Sequence, residues 1–70
     1  MHRRVEKLLQ AQDTIRRLYR SGDIDRAIFE FDQTVKPEIG AVDPRVSRLA
    51  RRLSKSFIQM VDVDLAKTAP

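Results

Sequence analysis

Apolar residues recur along this chain at intervals of three and four, with polar residues between them. In the first segment Val5, Leu8, Leu9, Ile15, Leu18 and Tyr19 keep this spacing, and Gln12 stands in the gap of the stripe. At about 3.6 residues per turn these positions share a face, so the pattern predicts an amphipathic helix over about 2–20. A second stripe, Ile24, Ala27, Ile28, Phe31 and Val35, predicts a helix over about 24–35. The third, Val46, Leu49, Ala50, Leu53, Phe57, Met60 and Val61, predicts a longer one over about 44–65. No stretch alternates with the period of a strand.

The residues between the stripes agree with this division. In Ser21-Gly22-Asp23, Gly22 is expected to take the left-handed conformation that ends a helix. Asp23 is expected to cap the next helix through its side chain, and Asp25 adds negative charge where the helix dipole favours it. So short a turn folds the two helices back on each other. Pro37 and Gly40 are expected to end the second helix, since a residue before proline avoids helical angles. Asp43-Pro44 reads as an N-cap followed by proline at the first helical position. Asp62 and Asp64 stand near the C-terminal end of the third helix, where the dipole disfavours them, and the tail 67–70 is expected to fray.

The expected fold is therefore all-α: a single domain, 1–70, forming a three-helix bundle from an antiparallel hairpin with the third helix packed across it. The expected core is Val5, Leu8, Leu9, Ile15, Leu18, Ile24, Ala27, Ile28, Phe31, Val35, Val46, Leu49, Leu53, Phe57, Met60 and Val61. Five apolar residues fall outside these stripes: Phe29, Ile39, Val42, Ile58 and Val63.

Composition narrows the chemistry. With 70 residues the core is small, and such cores rarely supply more than about 3–5 kcal/mol. There is no Cys and His2 is the only His, which excludes disulfides, a Cys/His zinc cluster and a cysteine nucleophile. Ser21, Ser47, Ser54 and Ser56 have no histidine to activate them, and two glycines do not make a phosphate-cradling loop. No enzyme activity and no cofactor are expected. No apolar run approaches the ~20 residues of a membrane span, and no signal-peptide core follows the basic start, so a soluble intracellular protein is expected.

Charge is segmented. The net +4 divides into +4 over residues 1–22, −4 over 23–43 and +4 over 44–70. An acidic middle helix is expected to sit against two basic neighbours. Exposed pairs contribute only about 0–1 kcal/mol each, so this selects an arrangement more than it stabilises one.

The run from Leu18 to Phe31, with Val35 after it, resembles the centre of a tetratricopeptide repeat. Gly22, Asp23, Ile24, Ala27 and Phe31 stand at that repeat's spacings, while Ala11 and Ile15 depart from its early positions and Pro37 comes two residues early. Three-helix domains that bind trafficking proteins share a similar Gly-x-x-x-x-Ala pattern. The resemblance covers residues 18–35 and implies a helical hairpin that binds protein and carries no chemistry. The tripeptide Leu18-Tyr19-Arg20, which marks a family of small mitochondrial helical proteins, is broken at once by Ser21-Gly22 and adds nothing.

Two sets of candidate functional residues follow. Phe29 and Ile58 lie off the stripes of their helices and are expected to contact a protein partner or a second copy, as in an adaptor or assembly subunit. Arg45, Arg48, Arg52 and Lys55 lie within an arc of about 80 degrees on the third helix, with Arg51 beside them. That stripe is the alternative: an anion or nucleic-acid surface aligned to follow phosphates. The linker from Pro37 to Asp43 reads as too long for a helix-turn-helix.

Overall fold

The computed structural model describes residues 3–68 and shows an all-α three-helix bundle. Helix α1 is Arg3–Arg20, α2 is Ile24–Glu30 and α3 is Pro44–Thr68. His2, Ala69 and Pro70, which the sequence assigns to terminal tails, lie outside the described residues. Lys67 and Thr68, expected to fray, form the last turn of α3.

The turn after α1 is built by its backbone. Gly22 has φ +88°, the conformation expected of it. Asp23 N–H donates to the Leu18 carbonyl at 2.9 Å and Gly22 N–H to the Tyr19 carbonyl at 3.1 Å, closing the helix end in a Schellman arrangement. The expected side-chain cap is absent: Asp23 accepts no capping hydrogen bond, and only its carbonyl engages α2, accepting from Ala27 N–H at 3.1 Å. A Cβ on Gly22 would meet nothing within 4 Å, so substitution there is opposed by backbone conformation alone. Gly22→Val should therefore cost about 1–2 kcal/mol, while Asp23→Ala should be near neutral. Urea denaturation of the two variants checks the order. A larger loss for Asp23→Ala would mean that its side chain does hold the turn.

Pro37 does not end the second helix. After Glu30 the chain continues as one π-helical stretch, Phe31–Val35, and then a 3-10 stretch, Lys36–Gly40. Lys36, the residue before proline, is helical at φ −55° and ψ −43°, and its N–H donates to the Phe31 carbonyl five residues back. In a regular α-helix a proline ring clashes with the carbonyl four residues earlier and supplies no N–H. One widened turn followed by one tightened turn absorbs both defects. The non-helical connection to α3 is then Ala41–Asp43, far shorter than the 37–43 linker read from sequence. The carboxylate of Asp43 accepts from Arg45 N–H at 2.9 Å and caps α3 as expected.

The bundle runs up, down and up. Arg4 at the start of α1 pairs with Glu38 just ahead of α3, and Tyr19 near the end of α1 meets Phe57. So α1 and α3 are parallel, with α2 antiparallel to both. The core is Leu8, Ala11, Ile15, Ala27, Val35, Val46, Ala50 and Leu53, with Val5, Leu18, Tyr19, Phe31, Ile39, Ala41, Leu49 and Phe57 packed around it. Three expected core residues are instead exposed: Leu9 at 49%, Ile24 at 37% and Ile28 at 41%. Met60 and Val61 are half-buried. Ala11 and Ala50 take central places instead, because helices approach closely only where the intervening side chain is small. Ile39, read as lying off the stripes, packs against the core through the 3-10 turn.

Helix α3 does not lie across the whole hairpin. It rests on α1 and on the segment Phe31–Gly40, and among the described residues it makes no close approach to α2. At 25 residues against 18 for α1, it is also the longer by about 10 Å.

Candidate functional site

The absent α2–α3 contact creates the molecule's most distinctive surface. Phe57 stacks on Phe31 with ring centroids 4.9 Å apart and 20° between planes. It also meets Tyr19 edge-on at 6.3 Å and 83°. On one flank of Phe57, Leu53, Ser56 and Met60 share a small gap of about 20 Å³ with Gln12, Ile15 and Arg16 of α1. The opposite flank of α3 therefore faces α2. At about 100° per residue it carries Ile58 and Val61.

The facing flank of α2 follows from the same reasoning. Ala27 is its one buried residue, and α2 touches α1, so Ala27 marks the α1 side. Glu30, Gln33 and Thr34 line an open polar groove against Lys7, Gln10, Ala11 and Thr14 of α1. Ile24 and Ile28 lie on the other flank with Phe31, toward α3. Helix geometry thus puts Ile24 and Ile28 of α2 and Ile58 and Val61 of α3 on either side of the Phe31–Phe57 stack, across the α2–α3 cleft that the missing contact leaves. Ile58 is 56% exposed, and Phe29, on the outer edge of α2, is 61% exposed. Both residues singled out in the sequence are thus exposed, one on α2 and one on α3. The isoleucines Ile24 and Ile28 were assigned to the core, because periodicity shows that a residue belongs to an apolar stripe without showing whether anything covers it.

The basic stripe is displayed outward. Arg48, Arg51, Arg52 and Lys55 are exposed and form no ion pair among the described residues. Arg45 is engaged at the helix start, 3.7 Å from Asp43. The expected pairing of the acidic middle segment with its basic neighbours is found at its C-terminal end, in Arg4–Glu38 and Arg45–Asp43, while Arg17–Asp13 at 3.0 Å lies within α1. No ion pair joins α2 itself to α3 among the described residues, since the two helices do not touch.

Arg4 holds Glu38 with both arms, Nε to Oε2 at 2.8 Å and Nη2 to Oε1 at 2.9 Å. This fork pins the start of α1 to the 3-10 turn. The bond to Arg4 keeps the Glu38 carboxyl below the ordinary carboxylate range, with partial burial opposing and Arg4 and Lys7 charge assisting. A carboxyl depressed in the folded state contributes stability above its unfolded pKa and loses it as pH falls through the folded one. Urea midpoints should therefore drop as pH falls below about 4.3, the unfolded glutamate value. Glu38→Gln should flatten that part of the profile. An unchanged profile would show that the fork contributes nothing in solution.

Remaining polar groups are accounted for locally. The Ser54 hydroxyl donates to the Ala50 carbonyl at 2.8 Å and that of Ser47 to the Pro44 carbonyl at 3.3 Å. Tyr19 donates its hydroxyl to Asp64, which raises the phenol's pKa. That contact explains an aspartate where the helix dipole disfavours one. Among the described residues no three His, Cys, Asp or Glu side chains converge as metal ligands, and no helix is long and apolar enough to cross a membrane. No family model, curated protein or solved structure matches this chain.

Proposed function

We propose that this chain is a protein-interaction or assembly module, a small intracellular adaptor or subunit that takes up another protein's apolar surface in the α2–α3 cleft. The observation that carries this reading is the exposure of Ile24, Ile28 and Ile58 beside the Phe31–Phe57 stack, where α2 and α3 do not touch. A contiguous apolar patch rimmed by charge is the usual mark of an interface. The tetratricopeptide-like spacing of Gly22, Ala27 and Phe31 supports the same class of function. A photoreactive residue at position 58, expressed in source cells, should yield a crosslinked product. One at position 13, exposed on the face of α1 opposite the buried Ala11, should not. Loss of the position-58 product, or equal products from both positions, overturns the reading.

The exposed and unpaired state of Arg48, Arg51, Arg52 and Lys55 favours a second reading, nucleic-acid binding along α3. Affinity for a duplex should then fall with salt, with a log–log slope of about −0.9 per phosphate neutralised. Arg48→Glu with Arg52→Glu should lower both affinity and slope. No binding at about 50 mM salt, where phosphate contacts are strong, discards this reading.

A further inference from the structure

We propose that the cations of α3 join Arg16 of α1 in one two-helix face, and that this face binds the sugar-phosphate backbone of a nucleic-acid duplex. This rests on the second reading above and adds a residue from another helix and the form of the ligand. Helices α1 and α3 run parallel, and Tyr19 meets Phe57, so those two residues share a height. Arg16, three residues before Tyr19, therefore stands level with Ser54, between Arg52 and Lys55. Arg16 also borders the same small gap as Leu53 and Ser56, which sets it on the α3 side of α1. Arg52 lies about 40° from Ser56 around α3, and Arg48 and Lys55 lie farther out on the same side. The cations thus continue across the junction of the two helices.

No ion pair cancels this charge. Arg16, Arg48, Arg52 and Lys55 are exposed and form none among the described residues. Helix α3 carries no Asp or Glu before Asp62, and the carboxylates at the edges of the face, Asp13 and Asp43, are held by Arg17 and Arg45. The planar guanidinium groups of the arginines match phosphate oxygens two at a time. The surroundings weigh against other partners. A protein interface has a core depleted in charge and anchored by aromatic residues. Here Leu9 is exposed two turns before Arg16, and a single exposed leucine is ordinary. Single strands are held by stacking their bases on aromatic rings. Tyr19, Phe31 and Phe57 are packed on one another and Phe29 belongs to α2, so this face has no ring to offer. Forked cations without aromatic anchors suit a backbone held rigid by base pairing, its bases already stacked.

Fluorescence anisotropy of the full chain tests this with probes of equal length: a random-sequence DNA duplex, the corresponding RNA duplex and the DNA single strand. A duplex should bind about tenfold or more tighter than the single strand at about 50 mM salt, where phosphate contacts are strong. The two duplex arms tell which backbone is the ligand, and such binding of either supports the face. Arg16→Gln should weaken duplex binding about tenfold, with helix content unchanged, and lower the log–log salt slope by about 0.9, the loss of one phosphate contact. Arg16→Lys should keep most of the slope. Arg26→Gln removes the same charge from α2 and should leave affinity and slope unchanged. If Arg16→Gln matches Arg26→Gln while reversal of Arg48 and Arg52 still abolishes binding, the α3 reading stands and the two-helix face falls. A single strand bound as tightly as the duplexes overturns the duplex as ligand. Binding to polyglutamate with none to either duplex makes the face a site for acidic protein and overturns the proposal. Absence of all binding removes this proposal and the α3 reading together.

Discussion

Phe57→Ala should unfold the domain. Its ring joins three elements, stacking on Phe31 of the π stretch and meeting Tyr19 of α1 while rooted in α3. Truncating a packed Phe costs about 3–5 kcal/mol. Each lost aromatic pair adds about 0.5–1.5 kcal/mol to the area effect. Phe57 is half-buried, which favours the lower end. A core of this size supplies only about 3–5 kcal/mol in total, so even the lower end removes most of it. Phe31→Ala should behave alike, since it empties the other half of the same stack. Phe57→Leu keeps most of the volume and should retain a cooperative melt. Circular dichroism with urea titration reads all three. A loss below about 1 kcal/mol for Phe57→Ala would mean the rings do not hold α3 to the hairpin.

Ala27→Leu should be the next most damaging change. Ala27 is fully buried and is the only buried residue of α2. It sets how closely α2 approaches α1, and a larger side chain has no vacancy to enter. Overpacking a tight site costs about 1–3 kcal/mol. Ala27→Gly keeps the space and should lose less, about 0.5–1 kcal/mol from helix propensity alone. Urea midpoints should therefore rank wild type, Ala27→Gly, Ala27→Leu. If leucine proved harmless, α2 would be free to move away from α1. Its exposed isoleucines would then say little about a cleft of defined shape.

Local signals were legible where one residue type has one structural use. Gly22 is at positive φ because only glycine reaches it without strain, and Asp43-Pro44 opens α3 because both residues suit a helix start. The exception is Pro37. Its expected effect assumed a regular helix, and the chain met the same steric limit by changing helix type over Phe31–Gly40. Asp23 caps with its backbone rather than its side chain: its N–H closes the Schellman turn on the Leu18 carbonyl, and its carbonyl accepts from Ala27 N–H in α2.

The sequence by itself determined three helices, their approximate limits, their antiparallel start and which face of each is apolar. Periodicity and turn chemistry are local, and local terms suffice for that. Only the tertiary structure decided which parts of those faces are covered. The three-residue connection Ala41–Asp43 and the wide-then-tight turn before it set where α3 begins, and so the side on which it lies. That placement buries Ala50 and Val46 and, with α3 on α1 and the Phe31–Gly40 segment but not on α2, leaves Ile24, Ile28 and Ile58 exposed. An apolar stripe reads the same whether it is buried or waiting for a partner, because hydrophobic burial has no direction of its own. Position in the bundle separates the two.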